Sequence, residues 1–171
     1  VIDFTDSTKP TEIAFFDRGP ISDKAEVLGG YWSTYWYNGR IYGTEIARGL
    51  DVLELSPSKH LTASEIAAAK LANQGGTFNP QQQYPVSWPD APVVARAYID
   101  QLQREGAFTA TQVATLSAML DKAQARLDAS KKDASVAAEL RTHVGHLKGA
   151  VAGTRKAMLA KVMEAMAARL S

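Results

Sequence analysis

The densest run of strand-forming residues lies between Tyr31 and Leu55, YWSTYWYNGRIYGTEIARGLDVLEL. Asn38-Gly39 separates two stretches rich in aromatic and β-branched residues, and both turn residues tolerate the positive φ of a two-residue type I′ turn. The pattern predicts an antiparallel hairpin with strands at about 31–37 and 40–46. A third strand is predicted at about 50–55.

The predicted turn fixes which side chains share a face of the hairpin. The expected cross-strand pairs are Tyr37 with Arg40, Trp36 with Ile41, Tyr35 with Tyr42, Thr34 with Gly43 and Trp32 with Glu45. One face then carries Trp32, Trp36 and Ile41, and the other carries Tyr31, Tyr35, Tyr37, Tyr42 and Ile46. Because both faces are apolar, the sheet needs a covering layer on each side.

The start of the chain, VIDFTDSTKPTEIAFFD, indicates an apolar strand, a turn that contains Pro10, and a second strand at about 12–16. A loop at 17–30 follows, with Gly19-Pro20 and Gly29-Gly30 near its ends. The four strands from residue 12 onward, at about 12–16, 31–37, 40–46 and 50–55, follow one another in meander order and therefore predict one four-stranded antiparallel sheet.

From residue 56 the pattern changes to helical signals. Thr62 and Glu65 form a capping-box pattern before a short Ala-rich helix at 65–73, which Gly75-Gly76 ends. The segment 77–92 holds four prolines and predicts an extended connection. Its aromatic residues Phe78, Tyr84 and Trp88 suggest that it lies along another surface, with recognition of another protein as the alternative.

Apolar residues then recur at helical spacing to the end of the chain. Helices are predicted at 91–105, 109–129 and from Asp133 to about residue 170, and they form an antiparallel three-helix bundle. The methionines of the last stripe are interpreted as core residues. The sequence thus predicts an α+β fold, with a sheet at 1–60, a short helix and linker at 61–91, and the bundle at 92–171.

Two segments carry a resemblance to a known family. Val1-Ile2-Asp3 and Gly49-Leu50-Asp51-Val52-Leu53-Glu54-Leu55 resemble the ends of successive LVIVD repeats of bacterial β-propeller proteins. The resemblance implies one blade plus the last strand of the preceding blade, in an exported protein of the cell envelope or the extracellular space. A propeller needs about four or more blades, and the chain starts in mid-pattern, so we expect a fragment or a processed product.

Composition adds few constraints. The chain is 46% apolar, has a net charge of +1 and contains no cysteine, which excludes disulfides and thiolate chemistry. Residues 131–171 carry eight basic and three acidic side chains. Such a basic segment suits nucleic acid or an anionic surface, but a solvated helix face is the preferred interpretation. No apolar run has the length of a membrane span.

Candidate chemistry is sparse. His143 and His146 share one side of a helix with Glu139, but a zinc site needs three or four ligands, so we predict no metal site and no cofactor. Asp17, Asp23 and Glu26 do not have the spacing of a calcium loop. Gly145, Gly149 and Gly153 mark either close packing of another backbone or a break in the helix.

The sequence shows no catalytic motif, and we predict no catalytic residue. The candidate binding residues are Trp32, Trp36, Tyr37, Arg40 and Tyr42. The predicted function is a non-enzymatic binding or scaffold module with a protein partner, or self-association through the sheet. The alternatives are a supporting fragment of an enzyme whose active site lies in absent blades, and a basic helical binder of nucleic acid or anionic surfaces.

Overall fold

The computed structural model describes residues 1–74, 79, 86–147, 149–151 and 153–171. These residues form two compact units, Val1–Ser87 and Trp88–Ser171. The first unit holds the strands and one short helix, and the second holds four helices. The predicted α+β class is confirmed.

The first unit contains two antiparallel sheets. Strands β1 (Ile2–Asp3) and β2 (Thr11–Glu12) pair with each other. Strands β3 (Tyr31–Tyr37), β4 (Arg40–Glu45) and β5 (Gly49–Leu53) form a three-stranded sheet in that order.

The prediction of a single four-stranded sheet is therefore wrong. After β2 the backbone N–H groups of Ile13 and Ala14 both donate to the carbonyl of Val1. This segment thus folds back on the start of the chain and does not pair with β3.

The hairpin turn forms as predicted, because Asn38 and Gly39 have positive φ values of 49° and 79°. The predicted pairs from Tyr37–Arg40 to Thr34–Gly43 are confirmed. The predicted pairing of Trp32 with Glu45 is wrong. Tyr31 pairs with Glu45 instead, and Trp32 is the extra residue of a β-bulge.

The short helix α1 (Ala63–Ala69) begins with the predicted capping box of Thr62 and Glu65. Beyond it, the Gln74 side chain donates to the carbonyl of Trp36 at 2.9 Å and accepts from the N–H of Asn38 at 3.4 Å. Gln74 thus fastens the turn end of β3. The predicted Gly75-Gly76 helix end and half of the proline-rich segment, including Phe78 and Tyr84, lie outside the described residues.

The second unit contains α2 (Pro92–Arg104), α3 (Ala110–Asp128), α4 (Ala134–His146) and α5 (Arg155–Leu170). Their first turns follow the sequence signals. Pro92 occupies the first turn of α2, a capping box of Thr109 and Gln112 opens α3, and Asp133 accepts from two N–H groups of α4.

The prediction of three helices is wrong, because the last one is interrupted between α4 and α5. Gly149 and Gly153 have positive φ values of 83° and 81°, a conformation that continues no right-handed helix. Apart from the glycine's own neighbours in the chain and its own helix backbone, no atom of the described residues lies within 4 Å of a Cβ built at Gly145 or Gly149. The glycines therefore mark a break and do not admit another backbone.

The hydrophobic core lies in the second unit, where α2 and α4 contact α5 most extensively. Of the two methionines in the predicted last stripe, Met166 is buried, as predicted for a core residue, whereas Met158 is half-buried; Met119 and Met163 are also buried. The largest fully buried side chains are those of Ile99, Met119, Leu120, Leu140, Leu159, Met163, Met166 and Leu170.

We predict opposite effects of alanine at two glycines of the same segment. Gly149→Ala forces an alanine into the left-handed region and should lower the free energy of unfolding by about 1 kcal/mol. Gly145→Ala lies within α4 beside open space and should leave it unchanged or raise it, by up to about 1 kcal/mol. Urea denaturation followed by circular dichroism measures both. A loss of stability in Gly145→Ala would argue against the open space seen there.

Candidate functional site

The structure brings three of the five candidate binding residues together. Tyr37, Arg40 and Tyr42 share one face of the sheet, where the two tyrosine rings lie 6.5 Å apart at 50° and Arg40 pairs with Glu54 at 3.0 Å. Trp36 lies on the opposite face. Trp32 is the extra residue of the bulge; it is 77% exposed and lies opposite no residue of β4.

The bulge also changes the position of Tyr31. The extra residue shifts the alternation by one, so Tyr31 joins the face of Gly43 and Glu45 and not the predicted face of Tyr35. Its ring covers Gly43 so closely that a Cβ there would lie 2.6 Å from a ring carbon. Gly43 is thus the residue that makes room for the tyrosine.

From this position Tyr31 reaches the edge strand. Its hydroxyl donates to Asp51 Oδ2 at 2.5 Å, and the guanidinium of Arg18 pairs with the same oxygen. The tyrosine hydrogen bond and then Arg18 lower the pKa of Asp51. Asp51 in turn raises the pKa of Tyr31, and partial burial of the ring adds to this shift. The three side chains join the loop at residues 17–30 to the sheet.

A second set of contacts holds the other end of that loop. The buried carboxylate of Glu45 accepts from the backbone N–H groups of Gly30 at 2.8 Å, Ala47 at 2.9 Å and Arg48. The Gly30 N–H is the main cause of the lowered pKa of Glu45. The Arg48 guanidinium donates to the carbonyls of Gly19 and Pro20.

These shifts define what the polar cluster can do chemically. The pKa values of Glu45 and Asp51 are lowered and the pKa of Tyr31 is raised, so all three pKa values lie further from neutral pH than the ordinary values of these side chains. A general acid or base needs a pKa near the working pH. The cluster of Arg18, Tyr31, Glu45, Arg48 and Asp51 is therefore suited to anchoring the loop.

The histidine pair does not assemble a ligand set. The rings of His143 and His146 meet edge to face at 6.0 Å, while Glu139 binds Lys122 at 2.9 Å. No group of three or more His, Asp or Glu side chains within the described part of the chain is placed to hold a metal.

Several basic side chains of the segment 131–171 form ion pairs or hydrogen bonds within the second unit. Arg141 pairs with Glu164 at 3.1 Å, and Arg155 pairs with Glu105. The ammonium group of Lys132 donates to a helix-end carbonyl. These side chains are therefore already bound within the second unit and are less available to bind the phosphate groups of a nucleic acid.

The first unit exposes a large apolar surface. An open groove of about 720 Å³ has apolar walls formed by Ile13, Phe15, Phe16, Ile41, Leu53 and Leu55. Phe15 is 82% exposed and Leu28 is 75% exposed. On the opposite face of the sheet, Leu50 is 61% exposed and Val52 is 47% exposed.

Sequence reasoning missed the loop anchor of Tyr31, Asp51 and Arg18. One signal pointed toward it, because a glycine inside a strand marks a bulge or a close approach of another group. Gly43 is such a residue. Nothing in the local pattern, however, identifies Tyr31 as the group that approaches it.

Comparisons of the chain with protein-family models, curated proteins and solved structures gave no match. The resemblance to LVIVD repeats therefore stays a prediction based on the two segments that carry it. None of the described helices has the length and apolar character needed to cross a membrane.

We predict that Gly43→Ala destabilises the first unit, because the new methyl group displaces the Tyr31 ring. The expected loss is about 1 kcal/mol, measured by urea titration of tryptophan fluorescence. In a Tyr31→Ala background the same substitution should cost nothing or stabilise, since alanine then gains its advantage over glycine in a strand. An equal loss in both backgrounds would separate Gly43 from Tyr31.

We also predict an acid-sensitive loop anchor. The folded-state pKa of Asp51 lies below its unfolded value of about 3.9. Its contribution to stability is therefore present above about pH 4 and is lost as the pH falls through the lowered value. Melting curves between pH 3 and pH 6 should show a weaker pH dependence for Asp51→Asn than for the wild type, with Asp23→Asn, in the exposed loop, as the control. An unchanged slope in Asp51→Asn would contradict the assignment.

Proposed function

We propose that the chain is a non-enzymatic protein-binding module, in which the first unit associates with a partner protein or another copy through the surface of its sheet and loop. The second unit supplies a self-contained helical support. The observation that carries the proposal is the uneven distribution of buried apolar side chains. Among the described residues, only Ile66 and Ala68 of the first unit belong to the buried hydrophobic set.

Physical reasoning connects that distribution to binding. Monomeric soluble proteins seldom expose contiguous apolar patches beyond a few hundred Å². The first unit exposes aromatic and aliphatic side chains on the loop, the bulge and the sheet. Aromatic side chains of this kind are enriched at binding hot spots. The loop anchor holds this surface in one arrangement, which reduces the entropy cost of binding.

The LVIVD resemblance extends the proposal to a larger exported bacterial propeller protein. In that arrangement the three-stranded sheet belongs to one blade, and neighbouring blades cover its apolar faces. The location in the cell envelope or the extracellular space is part of the same proposal. The supporting feature is the match of residues 1–3 and 49–55 to the repeat ends.

Light scattering after size-exclusion chromatography tests the binding surface. We expect the full chain to show a mass above that of the monomer, rising from micromolar to submillimolar concentration. The double variant Phe15→Ser and Trp32→Ser should associate at least about tenfold more weakly, because each exposed ring can gain about 1.5–3 kcal/mol on burial.

Val151→Ser is the matched control, because Val151 is 74% exposed but belongs to the second unit. It should leave association unchanged. A wild-type chain that stays monomeric over the whole range and binds no apolar dye would contradict the proposal. Equal effects of the two variants would exclude Phe15 and Trp32 from the binding surface.

A further inference from the structure

The two outer strands of the three-stranded sheet differ in how they are protected. Edge strands present unpaired backbone groups, and proteins protect them with bulges, charged residues or covering side chains. The β3 edge carries the bulge at Trp32, and Gln74 occupies the carbonyl of Trp36. Another strand can therefore pair with β3 only after these features are displaced.

The β5 edge contains one charged residue, Asp51, but it has no bulge, and no side chain of the described residues binds its backbone. Its register with β4 runs without a bulge from Leu53 to Gly49, and the strand contains neither lysine nor proline. Within the described residues, its backbone makes no hydrogen bond to other backbone outside the sheet. An open edge of this kind fits the backbone of another β-strand.

The side chains of β5 suit a strand of the same sequence. Leu50 and Val52 share an exposed face. When Val52 lies opposite Val52 of a second copy, the two valines are in contact, Leu50 lies diagonal to the other copy's Val52, and it faces the other copy's Glu54. The only charge within the strand, Asp51, is already bound by Tyr31 and Arg18. Its carboxylate thus remains satisfied when the edge is covered.

Charge also selects a register. An antiparallel pair centred on Asp51 places two carboxylates opposite each other, which is destabilising. A pair centred on Leu50 would place Val52 opposite Arg48 of the other copy, but Arg48 lies in the turn before β5, where Gly49 has a φ of 89°. A pair centred on Leu53 avoids both problems but pairs only that one residue within β5. A pair centred on Val52 also avoids both problems and pairs residues 51, 52 and 53 within the strand, with Asp51 facing the other copy's Leu53.

We propose that two copies of the chain pair antiparallel along β5, with Val52 opposite Val52, to form a continuous six-stranded sheet. This inference rests on the proposed function, of which it specifies the edge, the partner and the register. A five-residue strand pair alone buries less than the roughly 1,200 Å² of a stable interface. The association through β5 is therefore weak, and a covalent trap is the sensitive readout.

Because the chain contains no cysteine, an introduced cysteine is the only thiol that can form a disulfide. In the full chain, Val52→Cys should form an oxidised dimer at least about fivefold faster than two control variants, because directly opposed Cβ atoms lie about 4.5–5.5 Å apart. Thr44→Cys lies exposed on the same face but on β4, about 20 Å from its counterpart, because three strand spacings separate the two residues and they are also displaced by four residues along the strands. Leu50→Cys lies on β5 itself, but four positions out of register.

Each outcome decides the inference. Faster cross-linking of Leu50→Cys indicates another register, and equal rates for the three variants indicate random collision; both overturn it. So does a lack of cross-linking in Val52→Cys when circular dichroism shows an intact fold. If the wild type still associates in light scattering, the proposed function stands and only the β5 pairing fails.

A charge variant tests the same pairing without cysteine. Val52→Lys places two ammonium groups opposite each other and should weaken self-association at least about threefold, since like charges directly opposite are destabilising. Thr44→Lys adds the same charge on the central strand and should leave association unchanged. Equal behaviour of the two lysine variants would also overturn the proposed register.

Discussion

The first unit depends on one steric constraint, the close contact of the Tyr31 ring with Gly43. The bulge at Trp32 places Tyr31 on that face, and the missing side chain at Gly43 gives the ring its space. The tyrosine hydroxyl then meets Asp51, which also binds Arg18. A local irregularity in one strand thus determines how a loop of more than ten residues is attached.

The two units use different sources of stability. The helical unit buries aliphatic and methionine side chains, and its ion pairs lie mainly at the surface, where they contribute little. The first unit buries few apolar side chains and relies on backbone ladders and the polar loop anchor. This contrast explains why the binding proposal concerns the first unit: its apolar side chains have the most surface left to bury.

The elements that could be predicted from the sequence are those with local signals. The turn at Asn38-Gly39 and the caps at Thr62, Thr109 and Asp133 depend on residues within three or four positions. The bulge could not be predicted, because it reflects packing of Tyr31 against residues 12 and 20 positions away. The glycines indicated a break after α4 only as one of two alternatives. The predicted helix ran through it because the apolar spacing of Val144, Leu147 and Val151 continues across it.

The sequence separation of the contacts has a consequence for the order of folding. In the first unit, the hairpins of β3, β4 and β5 join strands that are neighbours in the sequence. Such short-range contacts form quickly because little loop entropy is lost. The pair of Arg18 and Asp51, in contrast, joins residues 33 positions apart. We therefore expect the loop to dock last during folding and to detach first during local unfolding.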